Sequence, residues 1–204
     1  MPDHVLDTFE YGKSLVRLLR VVRDSANPTK QSVIEYTVQT LLSGPRLDTS
    51  YTEGDNALVV ATDSQKNTVH YLAKTLPGNV VLTPEHFGLH IANHFPAKYP
   101  HITSCQVDLI AHKWTRITTS DGKVHPHSFV RDGEDKRVVS IRAGKEQGRE
   151  QGKVVVEKLQ GGLKDLLVLK SSGSAFHSFL RDDFTTLKEV NDRIFSTSVD
   201  CKCE

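Results

Sequence analysis

Residues 59–76, VVATDSQKNTVHYLAKTL, begin as an apolar run and end as an amphipathic helix. Val69, Leu72, Ala73 and Leu76 recur at i, i+3, i+4 and i+7, which places them on one helical face. The run NALVV at 56–60 reads as a short strand leading into that helix. Between the two lies Thr62-Asp63-Ser64. A carboxylate or hydroxyl at such a junction ordinarily caps the orphaned amides of the first helical turn.

Upstream, SLVRLLRVVR at 14–23 and SVIEYTVQTLL at 32–42 have strand character. In the second run Ile34, Tyr36, Val38 and Leu42 fall on one face, and Glu35, Thr37 and Gln39 on the other. Joined through DSANPTKQ, the two runs form an antiparallel hairpin. Downstream, Thr83-Pro84-Glu85 opens a second helix, with threonine as cap and proline at the first helical position. Phe87, Ile91 and Phe95 mark its apolar face, and Pro100 bounds it. SCQVDLIAHKWTRI (104–117) returns to strand, followed by the turn pair Asp121-Gly122. HSFVR and RVVSI then read as two strands paired across a DGEDK turn. The order is β-β-α-α-β-β, an α+β class with an antiparallel sheet. Residues 143–153, AGKEQGREQGK, read as a charged, Gly-rich surface insertion. KDLLVLKSS is a further strand, TTLKEVNDRIF a short helix with Thr186 and Glu189 in capping-box spacing, and FSTSVDCKCE a last strand.

The chain has 204 residues, 37% hydrophobic and 25% charged, enough for one large domain or two small ones. Its 26 basic and 25 acidic side chains leave a formal charge of +1, with no global drive toward nucleic acid or anionic membrane. No apolar run is long enough to span a bilayer, and the first residues, MPDHVLDTFEYGKS, lack the pattern of a secretory signal. Cys105, Cys201 and Cys203 cannot all pair within one chain, which points to a reducing compartment. The sequence has no Gly-rich phosphate loop, no CxxC pair and no HExxH. The His125-Pro126-His127 pair is a weak metal signal, better read as solvated or hydrogen-bonding imidazoles. Taken one at a time, Lys13, Arg181 and Arg193 read as solvated or paired charges, and Phe176 as a core anchor.

Together, several stretches resemble the urate oxidase (uricase) family, its fungal members most closely. They are YGKSLVRLLRV, YTEGDNALVVATDSQKNTVHYLAK, HKWTRI, DGKVHPHSFVRD and LLVLKSSGSAFHSFLRDDFTTLKEVNDRIFSTSVD, spanning Tyr11 to Asp200. The resemblance implies the tunnelling fold, in which β-β-α-α-β-β units assemble into a barrel by oligomerisation. Residues 11–142 correspond to a first unit, 143–153 to an insertion and 154–204 to the start of an incomplete second unit. It further implies cofactor-free and metal-free oxidation of urate by O2 to 5-hydroxyisourate and hydrogen peroxide, in a peroxisomal homo-oligomer. Nucleic acid and membrane are not expected partners.

Carried over residue by residue, Lys13 resembles the family's relay lysine and Thr62 its hydroxyl partner, the two catalytic residues. Thr62 and Asp63 bind near the five-membered ring, where helix-start amides and a small hydroxyl suit an anionic heterocycle. Phe176 resembles the aromatic that stacks beneath the purine, Leu187 a pocket wall, and Arg193 the guanidinium clamp on the pyrimidine side. The resemblance implies that Lys13, Thr62 and Asp63 come from one subunit, and Phe176 and Arg193 from its neighbour. It also implies a glutamine, an asparagine and a histidine that have no counterpart here, and a C-terminal peroxisomal address that is likewise missing. A truncated chain, inactive or poorly soluble when expressed alone, is therefore expected. A non-catalytic remnant that binds purine or joins full-length subunits is the alternative reading. A pterin-directed tunnelling-fold enzyme is a third, without a supporting motif.

Overall fold

A computed structural model describes residues 6–27, 29–146, 149 and 151–204. Pro28 of the expected hairpin turn, Gln147, Gly148 and Glu150 of the expected insertion, and the first five residues lie outside this set. Six strands form one sheet in sequential order: β1 (Tyr11–Arg23), β2 (Gln31–Ser43), β3 (Ser104–Thr118), β4 (Val124–Lys145), β5 (Val154–Phe176) and β6 (Val190–Cys203). Every neighbouring pair is antiparallel. Between β2 and β3 run the one-turn helix α1 (Thr49–Thr52), then α2 (Thr62–Thr75), the short α3 (Gly78–Val81) and α4 (Pro84–Lys98).

The alternation in β2 sets the layers. Ile34, Tyr36, Val38 and Leu42 are buried beneath the helices with Val16, Leu18, Val107, Leu109, Val139 and Ile141. Val69, Leu72 and Ala73 of α2 and Phe87, Ile91 and Phe95 of α4 supply the facing layer, as the 3.6-residue period requires. The Tyr36 and Phe87 rings stack at 5.7 Å, and the Tyr36 hydroxyl donates to the Val81 carbonyl at 2.7 Å. Thr83 and Pro84 open α4 as expected, although the Thr83 hydroxyl bonds back to the Asn79 carbonyl instead of capping the helix.

Among the described residues the opposite face carries no helix, and it is bound by charge. Buried Glu35 accepts from Arg17 at 2.9 Å, from Trp114 Nε1 at 2.9 Å and from Arg131. Arg131 also donates to His112 Nδ1 at 2.6 Å, and His112 Nε2 lies 2.8 Å from Thr37 Oγ1. Arginine has no acceptor, so Nδ1 is the bare nitrogen and Nε2 bears the proton given to Thr37.

Four expected elements differ. NALVV is not a strand: a turn closes it, Val59 N–H donating to the Asn56 carbonyl, because residue 60 is tied to Tyr11 and not to a ladder. DGEDK does not turn a hairpin, since HSFVR and RVVSI both pair with β3 as parts of one strand, β4. The irregularity is taken up by a register shift between His112 and Trp114 and by Gly133 at φ +76°. The stretch after Thr186 is not helical. Glu189 accepts from the Ser178 amide instead of serving a capping box, and β6 starts at Val190. β4 also runs on through Lys145, so Ala143–Lys145 are strand residues.

Candidate active site

Helix α2 begins at Thr62 behind Ala61, which offers no side-chain cap. The anticipated carboxylate cap is used elsewhere: Asp63 accepts from Lys66 at 2.7 Å and from Asn67 at 2.8 Å. The bond and charge of Lys66, with smaller help from Asn67 and Lys13, hold the Asp63 carboxyl below the usual carboxylate range. Among the described residues no side chain caps the first turn of α2, which leaves a dipole end suited to an anion. Exposed Thr62 and Asp63 stand there, and the charge of Lys13 is felt at Asp63.

Lys13 is on edge strand β1, opposite Thr40. Immediately after it the ladder is interrupted between Lys13 and Val16, and Leu15 takes φ +56°. Just before it, Gly12 lies so close to β2 that a Cβ would overlap the Thr40 carbonyl oxygen. Around the junction runs a polar set that the sequence reading missed. Val60 N–H donates to Tyr11 Oη at 2.8 Å, and the Val60 carbonyl accepts from Tyr11 OH at 3.3 Å and from Gln65 Nε2 at 3.2 Å. Gln65, fully buried, accepts from Thr40 Oγ1 at 2.8 Å. Its signal was a lone polar residue on the apolar stripe of Val69 and Leu72.

Phe176 and Arg193 form a second group on β5 and β6. The Arg193 guanidinium carbon lies 5.2 Å from the Phe176 ring centroid, and Phe179 stacks on that ring at 4.7 Å and 12°. Arg193 Nε is buried without a hydrogen-bond partner among the described residues, and Phe176 is 41% exposed. Leu187, 45% exposed, lies in the connection before β6, where its carbonyl accepts from Arg181 at 3.0 Å. Thus Lys13, Thr62 and Asp63 gather beside β1, Phe176 and Arg193 gather on β5–β6, and β2, β3 and β4 separate the two groups. At the usual strand spacing that separation is on the order of 20 Å, more than one flat heterocycle spans. Among the described residues no three or more His, Cys, Asp or Glu side chains cluster as metal ligands, and no helix is long and apolar enough to cross a membrane.

A six-strand antiparallel meander with helices between β2 and β3 on one face defines an α+β, tunnelling-fold class of protein. The family model described as Uricase matches residues 9–142 and 159–204. The uricase of Aspergillus flavus is 46% identical over 190 residues, 93% of this chain and 58% of that protein. The uricase of Schizosaccharomyces pombe is 44% identical over 94% of this chain and 60% of its own length. Among solved structures, uricase from Arthrobacter globiformis aligns with TM-score 0.78 at 33% identity, covering 98% of this chain and 62% of that one. Urate oxidase from Bacillus sp. TB-90 aligns with TM-score 0.83 at 26% identity, covering 96% and 67%. The chain belongs to the uricase family, and it spans about three fifths of the length of the curated relatives it matches.

Proposed function

We propose that this chain forms part of a urate oxidase site, in which urate, O2 and water give 5-hydroxyisourate and hydrogen peroxide. The observation that carries the reading is the division of the site residues. A lysine and a hydroxyl beside an uncapped helix start occupy one sheet edge, and an aromatic–guanidinium pair occupies the other. Two copies brought edge to edge would join the groups around one flat anion.

Phe176 offers a face for the purine, and Arg193 offers a planar fork whose Nε has no hydrogen-bond partner among the described residues. The α2 amides, with Thr62 and Asp63, receive the five-membered ring, and Leu187 walls the pocket. Lys13 and Thr62 pass protons between the urate ring and an oxygen species above it. Urate is itself an electron-rich reductant, so the chain's contribution is orientation and proton management. Residues 11–142 form the first tunnelling-fold unit in this reading, and 154–204 begin the second. The family resemblance carries a peroxisomal location with it.

Calorimetry with 8-azaxanthine, a urate mimic that does not turn over, tests the purine site on the assembled chain. Binding that Arg193→Gln abolishes is expected, and absence of heat from the unmodified chain overturns the reading. Urate-dependent peroxide release, lost in Lys13→Met, separates a working oxidase from a chain that only grips the purine.

A further inference from the structure

We propose that Tyr11 and Gln65 are positioning residues that hold the Thr62 junction in register with Lys13, an inference that rests on the proton-relay reading above. Lys13 and Thr62 belong to different elements, a strand edge and a helix start, and a proton passes between them only if their separation is fixed. The chain joining them is long, so the register must be set by direct cross-links.

Both backbone groups of Val60, two residues before Thr62, are engaged. Its N–H goes to the Tyr11 hydroxyl, and its carbonyl receives the same hydroxyl and the Gln65 amide. Tyr11 precedes Lys13 by two residues, so the two share one face of β1. The Gln65 carbonyl then takes the Thr40 hydroxyl at 2.8 Å, and Thr40 is the cross-strand partner of Lys13. Val60 is therefore tied to Lys13 along two routes, through Tyr11 on the same strand and through Gln65–Thr40 on the next. Burial raises the pKa of the Tyr11 hydroxyl, which keeps the proton needed for the Val60 carbonyl.

Packing alone does not account for Gln65. The position lies on the α2 stripe with Val69 and Leu72, fully buried, where an aliphatic side chain would fill the space without the cost of desolvating an amide. An amide there is explained by having a donor and an acceptor to place at once, one toward the loop and one toward the sheet.

The test uses the 204-residue chain with Gln65→Leu, Gln65→Glu and the near-isosteric Thr40→Val. Amide exchange at Val60 and Gln65 and 8-azaxanthine affinity are followed at pH 5 and pH 8. Gln65→Leu is expected to lower protection at both amides and to weaken 8-azaxanthine about tenfold, the size of one lost buried hydrogen bond. Thr40→Val covers the case in which Gln65→Leu does not fold. Gln65→Glu is the readout that a packing role would not move. Burial of this position favours the neutral acid, which can donate to the Val60 carbonyl and accept from Thr40, whereas the carboxylate cannot donate, so protection should be rescued at pH 5 and lost at pH 8. Protection at Val60 unchanged in Gln65→Leu and Thr40→Val overturns the proposal. Changed protection with unchanged affinity also overturns it, leaving Gln65 a fold residue only. If the unmodified chain binds no 8-azaxanthine, the purine reading fails, and the exchange data alone decide whether Gln65 sets the junction.

Discussion

The guanidinium of Arg193 lies over the ring of Phe176, its central carbon 5.2 Å from the ring centroid. The two residues sit on different strands, and β5 reaches this arrangement through register shifts between Lys170, Ser174 and Phe176. Ser174 is the cross-strand partner of Arg193, and across the second shift Phe176 pairs with Val190, with its ring beside Arg193. A planar cation beside a half-exposed aromatic face suits a flat anion that stacks and hydrogen-bonds together.

Replacing Arg193 by lysine therefore should not rescue the site, because an ammonium is a point charge without the fork. Arg193→Lys and Arg193→Gln are both expected to weaken 8-azaxanthine by at least about tenfold, the value of one charge-assisted bond. Calorimetry checks this, and full affinity in Arg193→Lys would argue against bidentate clamping.

Gly12 fixes Lys13 from the other side. Its Cα is pressed against the Thr40 carbonyl, where no Cβ fits. Gly12→Ala must push β1 off β2, which should cost about 1–3 kcal/mol and displace Lys13. A urea titration together with 8-azaxanthine binding reads both effects. Unaltered stability would mean that the close approach is not real.

Acid should loosen the helix-free face in two stages. Burial, then the charge of Arg131, pushes His112 below its ordinary 6.5. Burial would raise Glu35, but bonds from Arg17 and Trp114 and the charges of Arg131 and His112 outweigh it and hold the carboxyl below its ordinary 4.5. Both groups bind protons more weakly folded than unfolded, so each contributes stability that is complete above its ordinary value. That stability shrinks as pH falls from there toward the folded value. Stability should start to fall below 6.5 through His112 and fall further below 4.5 through Glu35. Glu35→Gln should cost about 1–2 kcal/mol at pH 7 and flatten the lower stage; urea midpoints from pH 3 to pH 8 give the curve.

Thiol chemistry reports on β6. Cys105 is buried and its pKa is raised by that burial, while Cys201 and Cys203 are exposed. An aromatic disulfide reagent should titrate two thiols in the native chain and the third only on unfolding. Fast reaction of all three would contradict the packing of β3 under the helices.

The layers of the sheet were legible because they rest on local period. The alternation of Ile34, Tyr36, Val38 and Leu42 and the α2 stripe of Val69, Leu72 and Ala73 both name the face that is buried. What stayed hidden depends on distant pairing. DGEDK has turn composition, yet the ladder with β3 holds both its flanks in one strand and absorbs the excess at Gly133. Thr186 and Glu189 have capping-box spacing, yet the Ser178 amide claims the glutamate. NALVV looks like a strand, yet Tyr11 and Gln65 engage the backbone of Val60. The candidate residues themselves became visible through motif resemblance and not through chemistry legible one residue at a time. Their separation into two groups needed the strand order.

The central claim is that one purine is held between two copies of the chain, and mixed assembly tests it most directly. Thr62→Trp chains, whose bulk fills the five-membered-ring side, and Arg193→Gln chains, which lack the clamp, are each expected to be blind to 8-azaxanthine alone; the two are co-expressed and titrated by calorimetry. Random pairing leaves about a quarter of composite sites with both residues intact, so binding should return at roughly that fraction of the unmodified stoichiometry. No recovery on mixing would contradict a site shared between copies.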